Sequence, residues 1–217
     1  RAFGHASGRI SAARFDSAGT ADEQERVARE AGEAGKDDDR FIVFGSGNLG
    51  LIYVSGERER LTLDDLSTRF PGLVPGLVVH PGVGFVVVLT ADHGPVALGP
   101  QGEHRVRDGV VVGIDPLARF GPHAPEFVLR AASMTESPDI YVNSLLDEMG
   151  EVAAFEGLVG CHGGLGGWQD RAMVVHPVGL EMPEDLVVGA DALHRVLVSW
   201  LEDFGHRRDL ASDLDRE

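Results

Sequence analysis

The longest apolar run in the chain, residues 83–89, is followed by Asp92-His93-Gly94 and a second apolar run at 95–98. Short runs rich in valine predict buried strands, and Asp and Gly between two such runs are typical of a turn. We therefore predict a β-hairpin here. The run also falls well short of the roughly 20 apolar residues that a membrane helix needs, so the chain as given is expected to be soluble.

Shorter apolar segments separated by helical stretches set the predicted fold class. Strands are expected at 41–44, 51–54, 139–143 and 173–175. This pattern predicts an α/β fold in which a mixed sheet has flanking helices. We expect residues 61–112 to form an inserted α+β subdomain within a domain spanning 41–217, and residues 1–40 to form an N-terminal helical segment and linker.

Two helices have recognisable ends. Thr62 and Asp65 have the spacing of a capping box, and Pro71 is expected to stop the helix that begins there. Near the C-terminus, apolar residues recur at helical spacing from Ala192 to Phe204, with Asp191 as the expected cap. Asp139, after a proline, is expected to be a cap or turn residue.

Charge and cysteine content narrow the classes of partner. The 217 residues include 19 basic and 35 acidic ones, a formal net charge of −16. This charge opposes non-specific attraction to nucleic acid and to anionic lipid, so nucleic-acid binding is not expected. Cys161 is the single cysteine, which precludes an internal disulfide.

The stretch 160–169, GCHGGLGGWQ, places one histidine among five glycines. Glycine lets the backbone approach a ligand closely and adopt positive φ, so His162 is well placed to meet a metal or an anion. The loop-shaping residues would be Gly160, Gly163, Gly164, Gly166 and Gly167. The alternative interpretation is a glycine-rich turn with an exposed histidine.

Two other motifs suggest different chemistry and are not favoured. GSGNLG at 45–50 matches the dinucleotide fingerprint, but a strand is predicted after it, where the fingerprint requires a helix. His162-Gly163-Gly164 also resembles the oxyanion-hole motif of esterases, yet the chain contains no G-x-S-x-G nucleophile elbow.

The glycine-rich loop and several other segments together resemble one known group of proteins. These segments are FEGLVGCHGGLGGWQ at 155–169, SGNLGLIY at 46–53, HPGVGF at 80–85, DPLARFG at 115–121 and DIYVNS at 139–144. In this order they are similar to the C-terminal part of actinobacterial membrane-anchored proteins of the alkaline phosphatase superfamily, of the type I phosphodiesterase/nucleotide pyrophosphatase kind. The resemblance covers residues 41–177.

The resemblance implies a hydrolase that cleaves phosphate esters of small molecules with the help of a divalent metal, with zinc as the expected ion. Members of the superfamily use two metal ions, a serine or threonine nucleophile, and aspartate and histidine ligands. His162 matches the last metal-binding histidine. Asp92 and His93 resemble the Asp-His-Gly ligand pair, although in the resembled group that pair precedes the SGNLG strand, so a hairpin turn is favoured.

The nucleophile and the remaining ligands have no convincing match in the chain. The resemblance therefore implies that these residues are the C-terminal part of a longer enzyme. Its N-terminal half would supply the nucleophile, and membrane association would occur only through segments outside this chain. The isolated chain is expected to lack hydrolytic activity. The alternative is a non-catalytic α/β ligand-binding or interaction module.

Overall fold

The computed structural model describes residues 40–156 and 161–206. The predicted N-terminal helical segment therefore lies outside the described residues, apart from Arg40. The chain divides into two units, Arg1–Ala172 and Met173–Glu217, which are described separately.

The first unit is built on a seven-stranded sheet. The strands are β1 Phe41–Ser46, β2 Leu49–Val54, β3 Val83–Thr90, β4 Gly94–Gly99, β5 Gly102–Arg105, β6 Val110–Gly113 and β7 Ile140–Ser144. Their order in the sheet is β1-β2-β7-β3-β4-β5-β6. The helices of this unit are α1 Leu63–Arg69, α2 Leu73–Val78 and α3 Ala124–Ala132, with 3-10 turns at Ala118–Phe120 and Trp168–Asp170.

The molecule is a mixed α/β protein, as predicted, but the expected mixed sheet is wrong. All six strand pairings in the described part of the chain are antiparallel. Since β3 pairs with β7, the strands of residues 61–112 belong to the same sheet as β1 and β2. The hairpin of β3 and β4 forms as predicted, with residues 91–93 in its turn.

Apolar clusters cover both faces of the sheet. On one face, Val86 and Val88 of β3 join a cluster with Leu66 of α1 and Leu77 of α2. On the other face, residues of α3 and the 3-10 turn pack against Phe85 and Val87, which belong to a second cluster. Because β3 is buried on both faces, its sequence is continuously apolar instead of alternating.

The start of α1 confirms the predicted capping box. The Thr62 side chain accepts a hydrogen bond from the backbone of Asp65, and the Asp65 carboxylate accepts one from the Thr62 backbone. The Thr62 hydroxyl also donates to Asp65 Oδ2 at 2.6 Å. This bond and then the one from the Thr62 backbone hold the pKa of the Asp65 carboxyl below its usual value. The helix ends at Arg69, just before Pro71.

Asp139 has a different role from the predicted cap or turn. Its carboxylate is buried and accepts hydrogen bonds from the backbone N–H of Val54 (2.7 Å) and of Leu61 (2.6 Å). Val54 ends β2 and Leu61 leads into α1, so one carboxylate satisfies two buried donors where the chain leaves the sheet.

The second unit contains α4, Gly189–Asp203. Val196 and Trp200 are buried, and the Trp200 indole N–H donates to the Glu181 carbonyl at 2.7 Å. The predicted cap at Asp191 is wrong, because the N-cap position is Val188 and Asp191 lies inside the first turn.

The predicted strand at 173–175 is also wrong. Residues 173–175 have no strand assignment, and Met173 and Val175 are 84% and 85% exposed. A short apolar run becomes a strand only where a sheet edge is available to pair with it. No helix among the described residues is both long enough and apolar enough to cross a membrane.

Gly76 in α2 provides a direct test of local helix stability. It is exposed, and a Cβ at this position would meet nothing within 4 Å. We expect Gly76→Ala to raise the free energy of unfolding by about 0.5–1 kcal/mol, because alanine loses less backbone entropy in a helix. Urea denaturation measures this change. Gly56→Ala is the matched control: it also has open space, but its φ of +84° should make alanine destabilising. A loss of stability in Gly76→Ala would contradict the prediction.

Candidate functional site

The glycine-rich loop lies against the turn between β1 and β2. Ser46 pairs with Leu49, so Gly47 and Asn48 form a two-residue hairpin turn. The backbone N–H of Asn48 donates to the His162 carbonyl at 3.0 Å. The expectation that a strand follows the GSGNLG motif is confirmed, since β2 begins directly after the turn.

A buried amide holds the loop from this turn. Asn48 is fully buried, and its Oδ1 accepts from the Gly164 N–H and from the Gln169 side chain, both at 2.9 Å. Its Nδ2 donates to the Leu165 carbonyl at 2.9 Å. Asn48 therefore binds three positions of the loop at once.

A second buried amide lies on the neighbouring strand. Asn143 of β7 is paired with Leu49 of β2, next to Asn48 in sequence. Its Oδ1 accepts from the Leu165 N–H at 2.7 Å, and its Nδ2 donates to the Leu165 carbonyl at 3.1 Å. Both backbone groups of Leu165 are thus bound by buried asparagines. Neither asparagine has a predicted role; the signal in the sequence is an amide close to the end of an apolar strand, after β1 and within β7.

The glycines of the loop are required where it touches the sheet. A Cβ on Gly163, whose φ is +89°, would lie 2.2 Å from the Ser46 carbonyl oxygen. A Cβ on Gly164 would lie 2.4 Å from Asn143 Oδ1, so this glycine is needed for space and not for a positive φ. Gly166 and Gly167 have φ of +95° and +74°. Gly160 lies outside the described residues.

His162 projects from this anchored loop and is exposed. Its ring Nδ1 is 3.5 Å from the Ser46 hydroxyl oxygen, at the outer limit of a hydrogen bond. Within the described part of the chain, no hydrogen-bond partner contacts Nε2 of the ring. The Nδ1 side of the imidazole therefore faces Ser46, whereas Nε2 is accessible.

Cys161, beside this histidine, is partly buried. Burial raises the pKa of its thiol, and this effect exceeds the opposing influence of the His162 and Asn48 backbone groups. The reactive form of cysteine is the thiolate, and the raised pKa of the thiol disfavours that form.

The structure does not bring Asp92 and His93 near His162. The loop contacts the sheet at Asn143, which pairs with Phe85 near the start of β3, whereas Asp92 and His93 follow the far end of that strand. The rise per residue of a strand places these two ends roughly 15–20 Å apart. His93 instead lies 3.9 Å from the Asp108 carboxylate.

No complete metal site is present in residues 40–156 and 161–206. Within these ranges, no three His, Cys, Asp or Glu side chains are grouped so that they could hold a metal ion. Structural and catalytic zinc sites use three or four protein ligands. The described residues therefore do not by themselves supply the ligands of such a site.

No protein-family model matches the chain, and comparisons with curated proteins and with solved structures find no match either.

Proposed function

We propose that this chain is the C-terminal part of a metal-dependent phosphoric ester hydrolase, of the phosphodiesterase/nucleotide pyrophosphatase kind, to which it contributes His162 as one metal ligand. The observation that carries the proposal is the accessible imidazole of His162 on a loop whose backbone is held by two buried asparagines. The sequence resemblance supplies the class of reaction.

The way His162 is held fits a metal-binding histidine better than a histidine in an ordinary surface turn. A metal-binding histidine needs one unprotonated ring nitrogen free, and a partner for the other nitrogen to orient the ring. Here the Ser46 hydroxyl is the neighbour of Nδ1, and Nε2 is the nitrogen available to a metal. Ordinary surface loops tolerate movement, whereas this one is bound to the sheet through four partly buried hydrogen bonds.

The remaining ligands and the nucleophile would come from the N-terminal half of the parent protein. The metal would neutralise the charge of the phosphate ester and activate an oxygen nucleophile. A lone imidazole binds zinc weakly compared with three or four ligands together. The isolated 217-residue chain is therefore expected to bind no stoichiometric metal and to be inactive on phosphate esters.

The decisive test uses the complete parent protein. With zinc present, we expect His162→Ala to reduce hydrolysis of a 4-nitrophenyl phosphodiester at least about 100-fold, since even a residue that only orients a metal ligand contributes about 10–100-fold. The zinc content of the purified His162→Ala protein should fall as well. His123→Ala, a change at the exposed N-cap of α3, is the matched control and should leave both unchanged.

Two results would reject the proposal. One is a parent protein that keeps its metal and activity after His162→Ala. The other is a native reading frame that encodes no Ser or Thr nucleophile and no further Asp-His-Gly before Arg1, which would favour a non-catalytic ligand-binding or interaction module.

A further inference from the structure

A cleft of about 300 Å³ lies beside the glycine-rich loop, in the first unit. It is formed by three segments, around residues 119–121, 146–150 and 166–171. The volume is at the lower end of the range for small-molecule pockets, which suits a ligand with a single ring. Its lining includes the side chains of Arg119, Phe120, Leu146, Trp168, Asp170 and Arg171.

Two guanidinium groups line this cleft in a protein that is otherwise strongly acidic. Arg119 is fixed through one nitrogen, Nη2, which donates to the Asp147 carbonyl at 2.7 Å. Arg171 lies over the Trp168 ring, 4.9 Å from its centroid. A guanidinium presents five N–H donors in a planar fork that matches phosphate and carboxylate oxygens. Although the whole chain has a net charge of −16, these two arginines provide local attraction for an anion.

Trp168 gives the cleft an exposed aromatic surface. Its side chain is 67% exposed, and its indole N–H donates to the Glu151 carboxylate at 3.1 Å, which fixes the ring. Phe120 and Leu146 are buried at the base of the cleft. A fixed, exposed indole beside a buried apolar base favours a planar aromatic group.

Among the described residues, one acidic side chain lines the cleft, and it is already engaged. Asp170 Oδ2 accepts from the Gly166 N–H at 2.7 Å. Within the described lining the two arginines exceed the acidic side chains by one charge, while the Glu151 carboxylate lies beside the lining on the Trp168 indole N–H. Each arginine retains N–H groups that its observed contact does not use.

We propose that this cleft binds a small planar aromatic ligand that carries an anionic group, with Arg119 and Arg171 at the anion and Trp168 at the ring. This assignment does not depend on the proposed hydrolase, because the ligand is recognised without any metal.

The test is a titration of the 217-residue chain in the presence of a metal chelator. The chain contains two tryptophans, Trp168 and Trp200, so proton–nitrogen NMR spectra contain two indole N–H signals. The signal that is missing from the spectrum of Trp168→Phe belongs to Trp168. Phenyl phosphate and benzoate are the probes. Benzyl alcohol has the aromatic ring without the anionic group, and inorganic phosphate has the anionic group without the ring. We expect at least one of the two aromatic anions to shift the Trp168 signal saturably and to leave the Trp200 signal in place.

The arginine variants make the test specific. Arg119→Gln and Arg171→Gln should each weaken binding at least about tenfold, as expected for loss of a charged hydrogen bond. Arg58→Gln, at an exposed arginine outside the cleft, should bind as the unmodified chain does. The proposal is overturned if neither anion saturates through the millimolar range, if benzyl alcohol binds equally well, or if both cleft variants retain full affinity.

Discussion

Asp139→Ala should lower the free energy of unfolding by about 3–5 kcal/mol. The change leaves the backbone N–H groups of Val54 and Leu61 buried without an acceptor, and each such group costs about 1–3 kcal/mol. Arg60 adds to the effect. Burial lowers the pKa of its guanidinium, and the nearby charge of Asp139 is one of the interactions that oppose this shift. Removing the carboxylate leaves a partly buried cation with less compensation.

Urea denaturation of Asp139→Ala measures the loss, and two variants define its cause. Asp139→Asn keeps one oxygen acceptor, so we expect about half of the destabilisation. Asp64→Ala removes an exposed carboxylate from the first turn of α1 and should change stability by less than about 0.5 kcal/mol. A value for Asp139→Ala as small as that of Asp64→Ala would show that the buried bonds contribute little.

Asn48→Asp should destabilise the first unit by about 3–5 kcal/mol and release the glycine-rich loop. The substitution preserves size but replaces the Nδ2 donor with an oxygen that faces the Leu165 carbonyl. At a fully buried position, a carboxylate must either remain charged without a cation or take up a proton, and both are unfavourable. The loop would then lose its attachment to the β1–β2 turn.

The two consequences are measured separately. Denaturation gives the stability change, and hydrogen exchange of the Gly164 and Leu165 amides reports release of the loop. Gln169→Ala is the matched control: it removes only the bonds that Gln169 donates to Asn48 and to the Gly166 carbonyl, and we expect a loss of about 1 kcal/mol. Slow exchange at Gly164 in Asn48→Asp would disprove the role of Asn48 as the anchor.

The two predictions concern residues that local sequence reasoning undervalued. Asp139 was expected to be a cap or turn residue, because an acid after proline is most often one. Its actual partners lie 85 and 78 positions away in sequence. A single sequence contains no signal for donors at that distance, because they meet the carboxylate only once β2 and β7 are paired.

Local patterns did determine several elements of the fold. The capping box fixed the start of α1, since both of its hydrogen bonds form within four residues. The valine-rich run and the Asp-His-Gly turn determined the β3–β4 hairpin for the same reason: strand, turn and strand are adjacent in the chain. The glycines at 163, 166 and 167 were identified because positive φ is a property of the residue type.

The sequence by itself therefore determined the strands near 41–44, 51–54 and 139–143, the β3–β4 hairpin and the start of α1. Only the tertiary structure decided the antiparallel order of the sheet, in which β7 lies between β2 and β3 and joins residues 61–112 to the main sheet. That order brings Asn48 and Asn143 together beneath the loop. It also places Asp92 and His93 at the far end of β3, away from His162. The physical reason is that strand pairing is a long-range contact, and the local preferences of a strand do not specify its neighbour.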